Sequence, residues 1–148
     1  MQLLNFNLYK KLSFLLKINK IIGINMQIND EFSNNKYMIK KCSEEGININ
    51  HNNYKKSVLI NLRNIISPWK IDNIKDLKNN HLLDIIKIKP KILIIGSGKN
   101  HIHINNKLFF TLYSNNIGCE IMNTYAACRT YNLLAIDNRN ICAILLPI

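Results

Sequence analysis

The sequence predicts an α/β domain, β-rich and antiparallel in its N-terminal half and β-α-β in its C-terminal half. Three observations carry that expectation. Up to Ile66 short β-branched stretches alternate with Asn, Gly and Ser, Ser67-Pro68-Trp69 then interrupts the pattern, and beyond it apolar runs alternate with segments of helical spacing. With 148 residues, 47% of them hydrophobic, the chain suits one core and is too short for two.

In the first half Tyr37–Cys42, Ile47–Ile49 and Ser57–Leu62 read as strands, with turns at His51-Asn52-Asn53 and Asn61–Asn64, because Asn tolerates a left-handed backbone. Pro68 cannot donate to a central ladder and disfavours helix in the residue before it. Asn80–Ile86 then places Leu82, Leu83, Ile85 and Ile86 on a short helix that ends before Pro90, and Ile92–Ile95 is a continuous run of the kind buried on both faces of a sheet. Asn105–Asn116 carries Leu108, Phe109, Leu112 and Tyr113 at helical spacing, with Gly118 just past its end. Ile117–Met122 is expected as a central strand. Thr124–Ala135 reads as a second helix capped by Asn123 or Thr124, and Ile141–Leu146 as the last strand. Right-handed crossovers wrap this half onto one sheet.

Residues 1–25 stand apart. They hold four Lys and no acid, and their densest apolar run, Leu12–Leu16, is interrupted by Ser13 and stopped by Lys17. That is short for a signal-peptide core, and no small-residue cleavage site follows. Leu12, Leu15, Leu16 and Ile22 would share a face of a basic amphipathic helix, although scattered Asn weakens the stripe. The simpler expectation is a poorly ordered extension, with the domain running from Met26 to Ile148.

Twenty Lys plus Arg against nine Asp plus Glu give a net charge of +11. Seventeen of those cations are Lys, and Asn (25) with Ile (27) dominates the composition, as coding DNA rich in A and T produces. The Lys are scattered, without the arginines and interleaved aromatics of a nucleic-acid groove, so nucleic acid is not the expected partner. No apolar run reaches the 18 or so residues that a membrane-spanning helix needs. Cys42, Cys119, Cys128 and Cys142 form no C-x-x-C pair and read as reduced, mostly buried thiols, which fits a cytoplasmic location.

The candidate sites cluster in the second half. Gly96-Ser97-Gly98-Lys99 follows a strand, as phosphate loops do, but Leu93 stands where a P-loop needs Gly and His101 where a dinucleotide fingerprint needs it. A tight turn is the better reading, with a crevice for a small ligand as the alternative. His101 and His103 would point to one side of a strand as metal ligands do, yet a third ligand is missing, so no metal and no cofactor are expected. Cys128 lies beside Arg129, which lowers a thiol pKa, but no His is placed as a base and helix packing is the ordinary role for a small thiol. Glu120, on the expected interior strand, needs a partner, and Arg129 and Arg139 are the two at hand.

Four stretches together, Ile94–Gly98, Asn116–Thr124, Ala126–Leu134 and Asn138–Leu146, resemble the Mth-domain family of unknown function, and Ser67-Pro68-Trp69 matches a family landmark. That family includes bacterial and archaeal proteins, the adipogenesis-associated Mth-domain protein and a mitochondrial assembly factor for respiratory complex I. The resemblance covers about residues 26–148 and implies a three-layer α/β fold with a mixed sheet and no established enzymatic activity. Where the family has Asp before the Thr this chain has Asn123, and where many members have Gly after it this chain has Tyr125, which leaves no carboxylate at 123 for a ligand.

The expected function is therefore a non-catalytic protein-interaction or assembly-factor-like domain. The alternative is a small-molecule-binding protein or enzyme. For either, the pocket or interaction residues are Gly96, Gly98, Glu120, Thr124, Cys128, Arg129, Thr130, Tyr131, Asn132 and Arg139.

Overall fold

The computed structural model describes residues 36–104 and 106–148. The expected 1–25 extension and the start of the domain at Met26 lie outside the described residues. Strands β1 (Ile39–Ser43), β2 (Gly46–Ile49) and β3 (Asn52–Tyr54) form an antiparallel sheet in that order. The turn expected at His51–Asn53 lies one residue earlier. Asn50 takes the left-handed backbone (φ 52°), and Asn52 and Asn53 instead pair with Ile49 and Asn48. Asn50 also accepts the Met38 N–H through its side chain (3.0 Å), which fixes it as the corner.

Strands β4 (Val58–Asn61) and β5 (Ile65–Ile66) flank the expected Asn61–Asn64 turn, where the Asn61 side chain accepts the N–H groups of Arg63 (2.9 Å) and Asn64 (2.8 Å). The Ser67–Pro68 peptide is cis. Fully buried Ser57 anchors the break: its hydroxyl donates to the Trp69 carbonyl (3.1 Å), and its carbonyl accepts the Trp69 N–H (3.0 Å) and the Ser67 hydroxyl (3.0 Å). Two 3-10 turns (Ile74–Asp76 and Asn79–Leu82) lead into α1 (Leu83–Ile88), which ends at Lys89 in a left-handed conformation (φ 51°) ahead of Pro90. Then follow β6 (Ile92–Gly96), α2 (Asn106–Ser114), β7 (Gly118–Met122), α3 (Thr124–Ile136) and β8 (Ile141–Leu145).

The second sheet has the order β5-β4-β8-β6-β7, with β4 antiparallel to both neighbours and β8, β6 and β7 parallel. The chain crosses from β6 through α2 to β7 in one direction, then returns through α3 past β6 to β8. Right-handed crossovers in opposite directions put their helices on opposite faces. Side-chain parity agrees. Leu93, Ile95, Cys119, Cys142 and Ile144 share a core with Trp69, Leu82, Ile85, Leu108 and Leu112, whereas Gly96 on the alternate face meets Thr124 and Ala127 of α3. The fold is thus the expected mixed sheet between helical layers.

One expectation fails here. The strand expected at Ile117–Met122 is not interior: β7 is an edge strand of the described sheet, and β8, last in sequence, takes the central place between β4 and β6. The apolar content of the two strands foreshadows this, since all five β8 residues are buried while β7 carries an exposed Glu120.

Candidate functional site

Parallel strand ends and the N-terminus of α3 meet at the Gly96–Gly98 loop, where a crevice would lie. The residues close on one another instead. Asn123 caps α3 by accepting the Ala126 N–H (2.8 Å). Thr124, fully buried, accepts the Gly98 N–H (2.9 Å) on its hydroxyl oxygen and donates to the Leu146 carbonyl (2.8 Å), while its own N–H reaches the Gly98 carbonyl (2.8 Å). The Ser97 N–H goes to the Met122 carbonyl (2.9 Å), and its hydroxyl lies 2.7 Å from the Asn100 carbonyl and 3.1 Å from that of Met122. The N–H groups of Ser97 and Gly98, which a phosphate loop would aim at its ligand, are occupied by the chain itself. Gly98 serves the turn with φ 97°. Gly96 serves a close approach, since a Cβ there would sit 2.9 Å from Thr124 Oγ1 and 3.1 Å from the Ala127 Cβ.

Further along α3, Asn132 is 6% exposed and presents its amide to β1, accepting the Ile39 N–H (2.9 Å) and donating to the Ile39 carbonyl (2.6 Å). The side chain replaces a neighbouring strand. Tyr131, fully buried, donates its hydroxyl to the Tyr37 carbonyl (3.1 Å), and burial holds its phenol above the ordinary range. Thr130 donates to the Met122 sulfur (3.4 Å). Three consecutive residues therefore bind the helix to its surroundings. Cys128 is buried one turn earlier on the same face as Asn132, beside Cys42 on β1. The neighbouring Cys42 thiol and burial raise the Cys128 pKa. Cys42 was not singled out by the sequence, because nothing local marks a cysteine whose partner is 86 positions away.

Glu120, Arg129 and Arg139 are all exposed, and none forms a salt bridge among the described residues. The expected Glu120–Arg pairing is corrected accordingly. An edge strand leaves one carboxylate in water, where it needs no partner. Replacing Glu120 with Ala is expected to change the unfolding free energy by about 0.5 kcal/mol or less, read from the urea midpoint. A loss of several kcal/mol would restore the buried pair.

The ten expected residues thus divide into an interior set (Gly96, Gly98, Thr124, Cys128, Tyr131, Asn132, with Thr130 half-buried) and a surface set (Glu120, Arg129, Arg139). Two surface hollows lie elsewhere: one of about 370 Å³ lined by Leu59, Ile65, Ile66 and Asp84, another of about 470 Å³ lined by Glu44, Glu45, Asn53 and Lys55. His101 and His103 are exposed with their rings edge-on, centroids 4.7 Å apart, and among the described residues no three His, Cys, Asp or Glu gather as metal ligands.

No helix among the described residues is long and apolar enough to cross a membrane. A protein of Francisella tularensis called the 13 kDa major membrane protein is 32% identical over 77 residues, which are 52% of this chain and 63% of that one. The chain therefore spans somewhat under two thirds of that relative. Among solved structures, a Bordetella parapertussis protein superposes with a TM-score of 0.72 at 22% identity, over 77% of this chain and 98% of that one. A Bordetella pertussis protein described as an Mth938-like domain gives 0.67 at 17% identity, over 85% and 92%. These likenesses establish the fold. The model of a protein family of unknown function, DUF498/DUF598, matches residues 39–146, and the chain belongs to that family.

Proposed function

We propose that this domain is a non-catalytic, assembly-factor-like protein that works in the cytoplasm by binding another protein. The observation that carries this reading is the outer face of α2. Phe110 is 74% exposed and Tyr113, one turn on, is 56% exposed. Tyr113 stacks on Phe109 (centroids 6.1 Å apart), which itself packs against the core, so the face is held rigid from below. Rigid exposed aromatics are the side chains that anchor protein interfaces, and each is costly to leave in water. Four free thiols favour a reducing compartment.

The test introduces a photo-crosslinking residue at Tyr113, identifies what is captured in native cells, and repeats the binding with purified components. A single protein partner, bound by the wild type and released by Phe110→Ser at unchanged melting temperature, is the expected result. Recovery of the chain alone, or a partner indifferent to Phe110→Ser, overturns it. The small-molecule reading is tested in parallel by metabolite thermal shift, where a ligand at 100 times its Kd adds about 2.7 kcal/mol. Vesicles of anionic lipid form a third arm, and binding to them that Phe110→Ser abolishes would assign the face to a membrane surface instead.

A further inference from the structure

The packing of β1 along α3 is antiparallel and can be followed residue by residue. The Tyr37 carbonyl meets Tyr131, both polar groups of Ile39 meet Asn132, and Cys42 meets Cys128 one helical turn earlier. An irregularity in the β1–β2 register between Ile39 and Lys41 makes the last contact possible. Ile39 pairs with Ile49 and Cys42 pairs with Ile47, and since paired residues share a face, Cys42 returns to the buried face that Ile39 occupies. Without that extra residue the Cys42 side chain would point the other way.

We infer that Cys42 and Cys128 form a redox-active dithiol that takes a hydroperoxide as oxidant and closes to a disulfide joining β1 to α3. The two thiols differ in the way such a site needs. Cys42 is half-buried, reachable from solvent, whereas Cys128 is 4% exposed. The neighbouring Cys128 thiol, first, and the Arg129 guanidinium lower the Cys42 pKa against the opposing effect of burial. Cys42, the thiol a hydroperoxide can reach, is the nucleophile, and the buried Cys128 is the resolving thiol.

In the first step the Cys42 thiolate attacks the terminal oxygen of the hydroperoxide. The O–O bond breaks, the alkoxide takes up the proton that Cys42 gave up and leaves as alcohol, and Cys42 becomes a sulfenic acid. The Cys128 sulfur then attacks the Cys42 sulfur, the S–O bond breaks, and the hydroxyl leaves as water with the Cys128 proton. Two thiols are oxidised by two electrons in total, and one peroxide bond is reduced. The product clamps the small sheet onto α3 at a point where no covalent bond now joins them. Cys119 and Cys142 take no part: burial pushes each thiol up to about 12.

The test treats the reduced full chain with stoichiometric hydrogen peroxide. Free thiols are expected to fall from the four in the sequence to two, with one linkage between the Cys42 and Cys128 peptides that survives digestion without reductant and is cleaved by dithiothreitol, and a higher urea midpoint than the reduced protein. Cys42→Ser should keep its three remaining thiols at the same dose. Cys128→Ser should stop at a sulfenic acid on Cys42 that dimedone traps. Linkage between chains, linkage to Cys119 or Cys142, or thiol loss unaffected by Cys42→Ser would each overturn the inference.

Discussion

Asn132→Leu is expected to destabilise the domain by about 4 kcal/mol, because it strands two buried backbone groups at once. The Ile39 N–H and carbonyl have no other described partner on that side of β1, and both now end on one side-chain amide. Leucine keeps the branched four-atom skeleton of asparagine and leaves no cavity, so the loss reports on the hydrogen bonds together with the added bulk of two methyl groups. Urea unfolding of the variant measures it. Asn132→Asp separates the two bonds: the carboxylate still accepts the Ile39 N–H but faces the Ile39 carbonyl with an acceptor. It should be as unstable as the leucine variant at neutral pH and recover part of the loss as pH falls, because burial against the Ile39 carbonyl raises the folded-state pKa of the carboxyl above its ordinary value of about 4. A leucine variant within about 1 kcal/mol of wild type would show that β1 is held by its apolar contacts alone.

Thr124→Val is expected to cost about 3 kcal/mol. The change is isosteric and leaves the fully buried site packed, but the Gly98 N–H and the Leu146 carbonyl lose their shared partner. Those two groups belong to the loop after β6 and to the segment after β8, so the loss falls on the junction that joins the strand ends to α3. Thr124→Ser keeps both bonds, gives up one methyl, and should retain most of the stability, about 1 kcal/mol below wild type. A valine variant within about 1 kcal/mol of wild type, beside a serine variant that loses more, would assign the role of Thr124 to its methyl group.

The elements of the second half were legible because each is specified locally. The apolar run at Ile92–Ile95 becomes β6, the spacing in Asn105–Asn116 becomes α2, and Asn123 caps α3 as its position suggests. Order within the sheet was not legible, because an apolar run states how deeply a strand is buried and not which neighbours bury it. Glu120 was the available warning: a carboxylate in a five-residue strand fits an edge better than a centre. The short strands β3 and β5 were missed for a different reason. Asn52–Tyr54 carries no apolar alternation, and its pairing is imposed by β2 across the Asn50 turn. Of the candidate residues, Cys128 was noted for the Arg129 beside it, and the others on α3 lie in or next to the stretches that resemble the family. The partner of Asn132 lay 93 residues upstream, beyond the reach of any local pattern.

The placement of β8 between β4 and β6 governs how the chain comes to be folded. On the ribosome this strand emerges after every other described strand, so during synthesis β4 and β6 wait with open edges, and α3 has no completed surface on which to lie. The same holds for β1, whose tether Asn132 is made nearly a hundred residues after it. A nascent chain of this kind gains little from folding piecemeal. Its contacts close late and together, which makes for slow, strongly cooperative folding and for dependence on whatever shields its apolar strands until the final one arrives.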